Sequence, residues 1–159
     1  MAESILKRVG WLAELRSRWM ALLRNIITRT NLWLLRTSGG RLGNSFLGRS
    51  VMLLHTIGHR SGAERVIPIF YLSDGERIVL VASNAGTTTD PAWLINMRAH
   101  PAVAVTIRGH RRAMTARVAD DDEHRHYWPR VAEMFPVWEM VQNNSLRRFP
   151  IVVLEPRAD

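Results

Sequence analysis

The segment TIGHRSGAERVIP, residues 56–68, brings together the side chains best suited to hold an anion. Arg60 and Ser61 fall in a short turn between Gly58 and Gly62, and Arg65 opens the strand that follows. Two guanidiniums, a hydroxyl and the amides of a glycine-bounded turn can cradle a phosphate. The same pattern also describes an exposed hairpin whose charges are simply solvated. Other chemistry finds less support. The chain lacks a G-x-S-x-G nucleophile elbow and a GxxxxGK[ST] phosphate loop. Its six histidines are scattered, and His124 and His126 lie two apart in an expected helix, facing different ways, so no metal site is expected. With no cysteine, thiol nucleophiles, iron–sulfur clusters and disulfides are excluded. The glycines of GGRLGNSFLG, residues 39–48, follow an expected helix rather than a strand, so they are read as a connector.

These residues need a scaffold, and 159 residues with 47% hydrophobic and 23% charged side chains suffice for one domain with a core. The expected organisation is a basic helical segment over residues 1–49 followed by a β domain over residues 50–159. Apolar alternation marks strands at Val51–Ile57, Arg65–Leu72, Arg77–Ser83, Ala102–Arg108, Arg111–Ala119 and Phe149–Leu154. A short helix begins at Pro91 with Asp90 as its cap, and a second begins at the acidic run Asp120–Glu123 and is ended or bent by Pro136. About six strands in hairpins with few helices point to a mainly β or α+β fold, a small barrel among the candidates.

The net charge of +8 is uneven: residues 1–49 carry nine basic side chains against Glu3 and Glu14. Leu12, Leu15, Trp19, Leu22, Leu23 and Ile26 recur at helical steps within Ser4–Thr28. That helix is read either as a cover on the core or as a basic, Trp-bearing face (Trp11, Trp19) resting on an anionic membrane surface. Basic residues interrupt its apolar run, which argues against a spanning helix or a signal peptide, so the expected location is cytoplasmic, with peripheral attachment to the inner face of the membrane as the alternative. Charge alone would also suit nucleic acid, but no nucleic-acid-binding motif accompanies it, and none is expected as a partner.

Four stretches, TNLWLLRTSGGRLGNSFLG, TIGHRSGAERVIPIFYL, VASNAGTTTDPAWLINMRAHP and VVLEP, resemble the deazaflavin-dependent nitroreductase family of actinobacteria. The resemblance runs from Thr30 to Pro156. It implies a split β-barrel of the flavin-reductase and pyridoxamine-phosphate-oxidase type, with an N-terminal amphipathic helix and short covering helices, that uses coenzyme F420. This cofactor has a tricyclic ring, a phosphate and an oligoglutamate tail. By resemblance, Arg60, Ser61, Gly62 and Arg65 match the phosphate-gripping turn, and Val66, Ile67 and Pro68 the strand beneath the ring. Ser83, Asn84, Ala85 and Gly86 match the loop facing the reacting side, with Asn84 where relatives often carry Lys. Pro91, Trp93 and Asn96 match the helix bordering the ring.

The implied activity is hydride transfer from reduced F420 to a small electron-poor acceptor: a quinone, an enone or a nitroaromatic. Ser83 is the candidate to polarise or protonate that acceptor, and Phe70, Phe135 and Trp138 are its expected walls. With Tyr71 and Tyr127 the only tyrosines, the slot favours apolar acceptors over nitroimidazoles. The competing reading is a barrel of the same fold that holds F420, a flavin or a fatty acid without turnover. The expected assembly is a monomer or a homodimer.

Overall fold

The structure is a computed structural model that describes residues 48–157 together with Trp33, Thr37, Ser38 and Ser45–Phe46. The expected N-terminal helix, with Trp11 and Trp19, and Gly39, Gly40 and Gly43 of the connector lie outside the described residues.

Among the described residues the strands are β1 (Ser45–Phe46), β2 (Arg49–Ile57), β3 (Glu64–Phe70), β4 (Leu72–Asp74), β5 (Arg77–Val81), β6 (Ala102–Ile107), β7 (His110–Val118) and β8 (Ile151–Pro156). The helices are α1 (Ala92–Ala99), α2 (Asp121–Met134) and α3 (Val137–Asn143), with a 3-10 turn at Asn84–Gly86. All pairings are antiparallel, in the order β1-β2-β6-β7-β8-β5-β4, and β3 adds to β2. This is the expected split barrel.

The pattern of RIVLV explains why β5 can sit between two cores. Ile78 and Leu80 point to the barrel interior, which Met52, Leu54, Val105, Met114 and Leu154 fill and α1 closes with Leu94 and Met97. Val79 and Val81 point the other way, and with Ile151, Val153 and Phe149 they are covered by Tyr127 and Val131 of α2 and Trp138 of α3. A strand apolar on both faces is buried on both faces.

Local chemistry sets most boundaries. Asp120 accepts from Glu123 N–H while the Glu123 carboxylate accepts from Asp120 N–H, a capping box that starts α2 where the acidic run predicts it. Pro136 does end that helix, and it also starts α3. Two expectations differ from the structure. The strand foreseen over Arg65–Leu72 breaks at Tyr71, because Leu72–Asp74 leaves β2 and pairs with β5. Asp90 does not cap α1: Pro91 holds that position, and the Asp90 carboxylate is taken by Arg98 and Arg147. Among the described residues, no helix is long and apolar enough to cross a membrane.

Candidate active site

The turn between β2 and β3 closes on itself first. Gly58 N–H donates to Ala63 O (2.9 Å), Gly62 N–H to Gly58 O (2.8 Å) and Ala63 N–H to Ser61 Oγ (3.3 Å). A Cβ on Gly58 would stand 2.6 Å from Ser61 Oγ, so glycine is required for the hydroxyl to tuck in. His59 N–H donates to Asn96 Oδ1 (3.0 Å), which ties the turn to α1. The amides of Arg60 and Ser61 are left without a partner among the described residues, as is the Arg60 guanidinium. Arg65 reaches Ser61 Oγ at 3.4 Å and pairs with no carboxylate among the described residues, its neighbour Glu64 being engaged by Arg111 and His55. One corner of the molecule thus presents two free amides, a hydroxyl and two unneutralised guanidiniums.

That corner opens into a cavity of about 700 Å³. Ile67, Pro68, Ile69 and Phe70 of β3 form one wall, and Pro91, Trp93 and Asn96 another. Ser83, Asn84 and Ala85 make the rim, and Trp138 reaches in from α3. Trp93 and Asn96, three apart on α1, share the face that meets the cavity. Asn96 is buried: besides receiving His59 N–H, it donates from Nδ2 to Thr56 Oγ1 (3.2 Å). Its visible work is to hold the turn. Ser83 is half-buried, and its hydroxyl has no hydrogen-bond partner among the described residues. Asn84 and Ala85, with φ of 45° and 54°, occupy the left-handed region that costs a non-glycine residue about 1–2 kcal/mol.

Four expected site residues do not line this cavity, each for a visible reason. Gly62 has spent its amide inside the turn. Val66 lies opposite His55 in the register, two residues before the cavity-lining Pro68 on the same face, and packs with Val51 and Leu53. Gly86 turns toward α3, where an added Cβ would meet Val141 Cγ1 at 2.7 Å. Phe135 stands behind the wall, its ring centroid 5.1 Å from both Phe70 and Trp138. Thr56, His59 and Ile69 line the cavity although nothing in the sequence pattern singled them out.

A profile described as F420H(2)-dependent quinone reductase matches residues 27–156. The chain belongs to that family. A Mycobacterium tuberculosis relative named F420H(2)-dependent quinone reductase is 30% identical over 126 residues, covering 77% of this chain and 85% of the relative. Among solved structures, an F420-H2 dependent reductase is similar with a TM-score of 0.62 and 28% identity, over 66% of this chain and 93% of that one. A structure described as a domain-swapped dimer gives 0.64 and 26%, over 86% of this chain and 98% of that one.

The residues present fit the family's cofactor. A phosphate needs several converging donors, and the Arg60 and Ser61 amides with the Arg60 and Arg65 guanidiniums, which meet no carboxylate among the described residues, provide them. A flat ring needs apolar walls, and Ile67, Pro68, Ile69 and Trp93 provide those.

Proposed function

We propose that this chain oxidises reduced F420 and passes a hydride to a flat, electron-poor organic acceptor, a quinone in the first instance. The observation that carries this reading is the unneutralised donor cluster of Arg60, Ser61 and Arg65 at one end of an apolar cavity. Family membership is consistent with it. When bound, the reduced cofactor supplies the hydride. The Arg60 and Ser61 amides and the Arg60 and Arg65 guanidiniums hold its phosphate. Ile67, Pro68 and Trp93 exclude water from its ring and fix its tilt. Ser83 Oγ, without another partner among the described residues, offers a hydrogen bond to the acceptor oxygen on which negative charge develops. Phe70 and Trp138 border the acceptor, backed by Phe135. Because those walls carry no hydroxyl, the slot suits quinones better than nitroimidazoles.

Titration of purified protein with F420 and with FMN tests the assignment. F420 binds selectively, and Arg60→Ala and Arg65→Ala each weaken it by about 1.5–3 kcal/mol, the worth of a hydrogen bond to a charged group. Wild-type protein oxidises reduced F420 when menadione is added, and Ser83→Ala lowers turnover more than affinity. Equal affinity for FMN removes the cofactor assignment. Tight F420 binding without oxidation by quinones, enones or nitroaromatics moves the protein to the non-catalytic reading.

Two further features belong to this reading. The nine basic residues of the first 49 support attachment to an anionic membrane surface, tested by flotation with acidic liposomes at low and high salt. The similarity to a domain-swapped dimer supports a homodimer, tested by the mass in solution.

A further inference from the structure

Arg147 lies in the link between α3 and β8, a stretch whose sequence pattern suggested no role. Its guanidinium makes four hydrogen bonds: Nε to Thr87 O (2.8 Å), Nη1 to Asp90 Oδ1 (2.9 Å), and Nη2 to Ala82 O (2.9 Å) and Ser83 O (3.2 Å). The guanidinium carbon lies over the buried Phe149 ring, 5.2 Å from its centroid. Only 17% of the side chain is exposed. The backbone beneath it is fixed too, since Gln142 donates to Arg147 O (2.8 Å) and accepts from Phe149 N–H (2.7 Å). The fork is therefore held in place before it meets the loop.

The four acceptors bracket the segment that forms the cavity rim. Two precede the left-handed turn Asn84–Gly86, and two follow it. Inside the bracket the ties are local ones: Gly86 N–H to Ser83 O (2.9 Å), Thr87 N–H to Asn84 O (3.2 Å), Thr87 Oγ1 to Asn84 O (3.0 Å) and Asn84 Nδ2 to Thr89 O (3.1 Å). Asp90 extends the connection. Its second oxygen accepts from Arg98 Nη1 (2.6 Å) near the end of α1, the helix that carries Trp93 and Asn96. Rim and helix wall are thus joined through one carboxylate to one guanidinium.

We propose that Arg147 is a positioning residue of this site: it sets the Ser83–Ala85 rim and, through Asp90, locks that rim to α1. Its effect on catalysis rests on the function proposed above; its effect on the loop does not. Lysine cannot replace it, because a single ammonium nitrogen lacks the planar fork that reaches acceptors on residues 82, 83, 87 and 90.

The test uses Arg147→Lys and, in case that variant fails to fold, Asp90→Ala, which removes one leg of the fork and the link to Arg98. Arg117→Lys is the control, since Arg117 bridges Glu123 and Glu155 and does not line the cavity. Hydrogen exchange in the cofactor-free protein is measured first. Amides of Gly86 and Thr87 exchange about tenfold faster in the two loop variants, equivalent to ~1.4 kcal/mol, while β2 and β6 are unchanged. With F420 and menadione, kcat falls about tenfold with a smaller change in F420 affinity, whereas Arg117→Lys lowers thermal stability and leaves kcat in place. Wild-type exchange in the loop overturns the proposal, and so does a kcat loss that Arg117→Lys reproduces at equal loss of stability. If the wild-type protein neither binds nor oxidises reduced F420, the functional reading fails and the exchange result alone judges Arg147.

Discussion

Asn96 offers the sharpest single perturbation, because one buried amide joins the anion-facing turn to the helix wall. Asn96→Ala removes the acceptor of His59 N–H at 3.0 Å and the donor to Thr56 Oγ1 at 3.2 Å. It also removes a 3.1 Å contact with His59 Nδ1. Each hydrogen bond is worth about 1 kcal/mol net. The two losses are unequal in their aftermath. His59 is exposed, so water can take over its N–H, whereas Thr56 is 2% exposed and its hydroxyl is left in a dry site. Adding about 1–2 kcal/mol for that stranded group gives a total of about 3–4 kcal/mol. For a chain of this size that lowers the melting temperature by roughly 6–16 °C. F420 binding weakens as well, because the Arg60 and Ser61 amides lose their anchor. Thermal unfolding followed by an F420 titration below the transition separates the two effects. Asn96→Asp is the companion: it keeps an acceptor for His59 N–H but adds charge beside the cluster, so F420 binding falls. An Asn96→Ala protein that melts and binds like wild type would falsify this account of the turn.

Three other outcomes are expected. Burial, then the Arg111 charge, hold His55 below its ordinary value of 6.5 while Glu64 pulls it back up, and burial lowers His124 likewise. Both histidines fold neutral, so their stability is present above about pH 6.5 and is lost as pH falls through the lowered values; the double change to Gln should flatten that slope in denaturant titrations between about pH 5 and 7, and an unchanged slope refutes the assignment. Tyr127→Phe removes the 2.8 Å hydrogen bond to Asp74 that ties α2 to the β4–β5 hairpin, and equilibrium unfolding should record a loss of about 1–2 kcal/mol, against no loss if the tie is idle. Trp138→Phe should raise KM for menadione several-fold with F420 affinity within about twofold, since the change reshapes the acceptor wall; equal effects on both would place Trp138 in the cofactor's support instead.

The parts of the site written locally were legible in the sequence. The turn at Arg60, Ser61 and Arg65 sits between two alternating runs with a glycine on each side, so residues close in sequence are close in space. Trp93 and Asn96 share a helix face by spacing alone. What escaped the sequence was every connection between distant segments. Asn96 meets His59 across 37 positions, and Arg147 meets Ala82 across 65. Arg147 gave no signal because three of its four acceptors are main-chain carbonyls, which any residue supplies. Asp90 looked like a cap because it precedes a helix. Two guanidiniums compete for its oxygens, and a charge-assisted pair holds a carboxylate more strongly than a neutral cap does.

The placement of charge leaves the corner at the turn cationic. Arg77, Arg98, Arg111, Arg117, Arg125, Arg130, Arg147 and Arg148 all lie within ion-pair distance of a carboxylate. Among the described residues Arg60 and Arg65, the two that line the cavity, have no such partner, and neither do Arg49, Arg112 and Arg157 away from it. A carboxylate stands next to Arg65 in sequence, yet strand alternation sends Glu64 to the opposite face, into the pair with Arg111. Moving that acid by one register position would set it beside Arg65's face and leave the fold's apolar pattern reversed on β3, so the strand that buries Ile67 and Ile69 also keeps Glu64 away from Arg65. Asn96 stands in the helix wall but spends its amide on the turn and Thr56, and Arg147 holds the rim without lining the cavity. The cavity therefore keeps one charged end and one dry end, which is the division that an anionic cofactor with a flat ring requires.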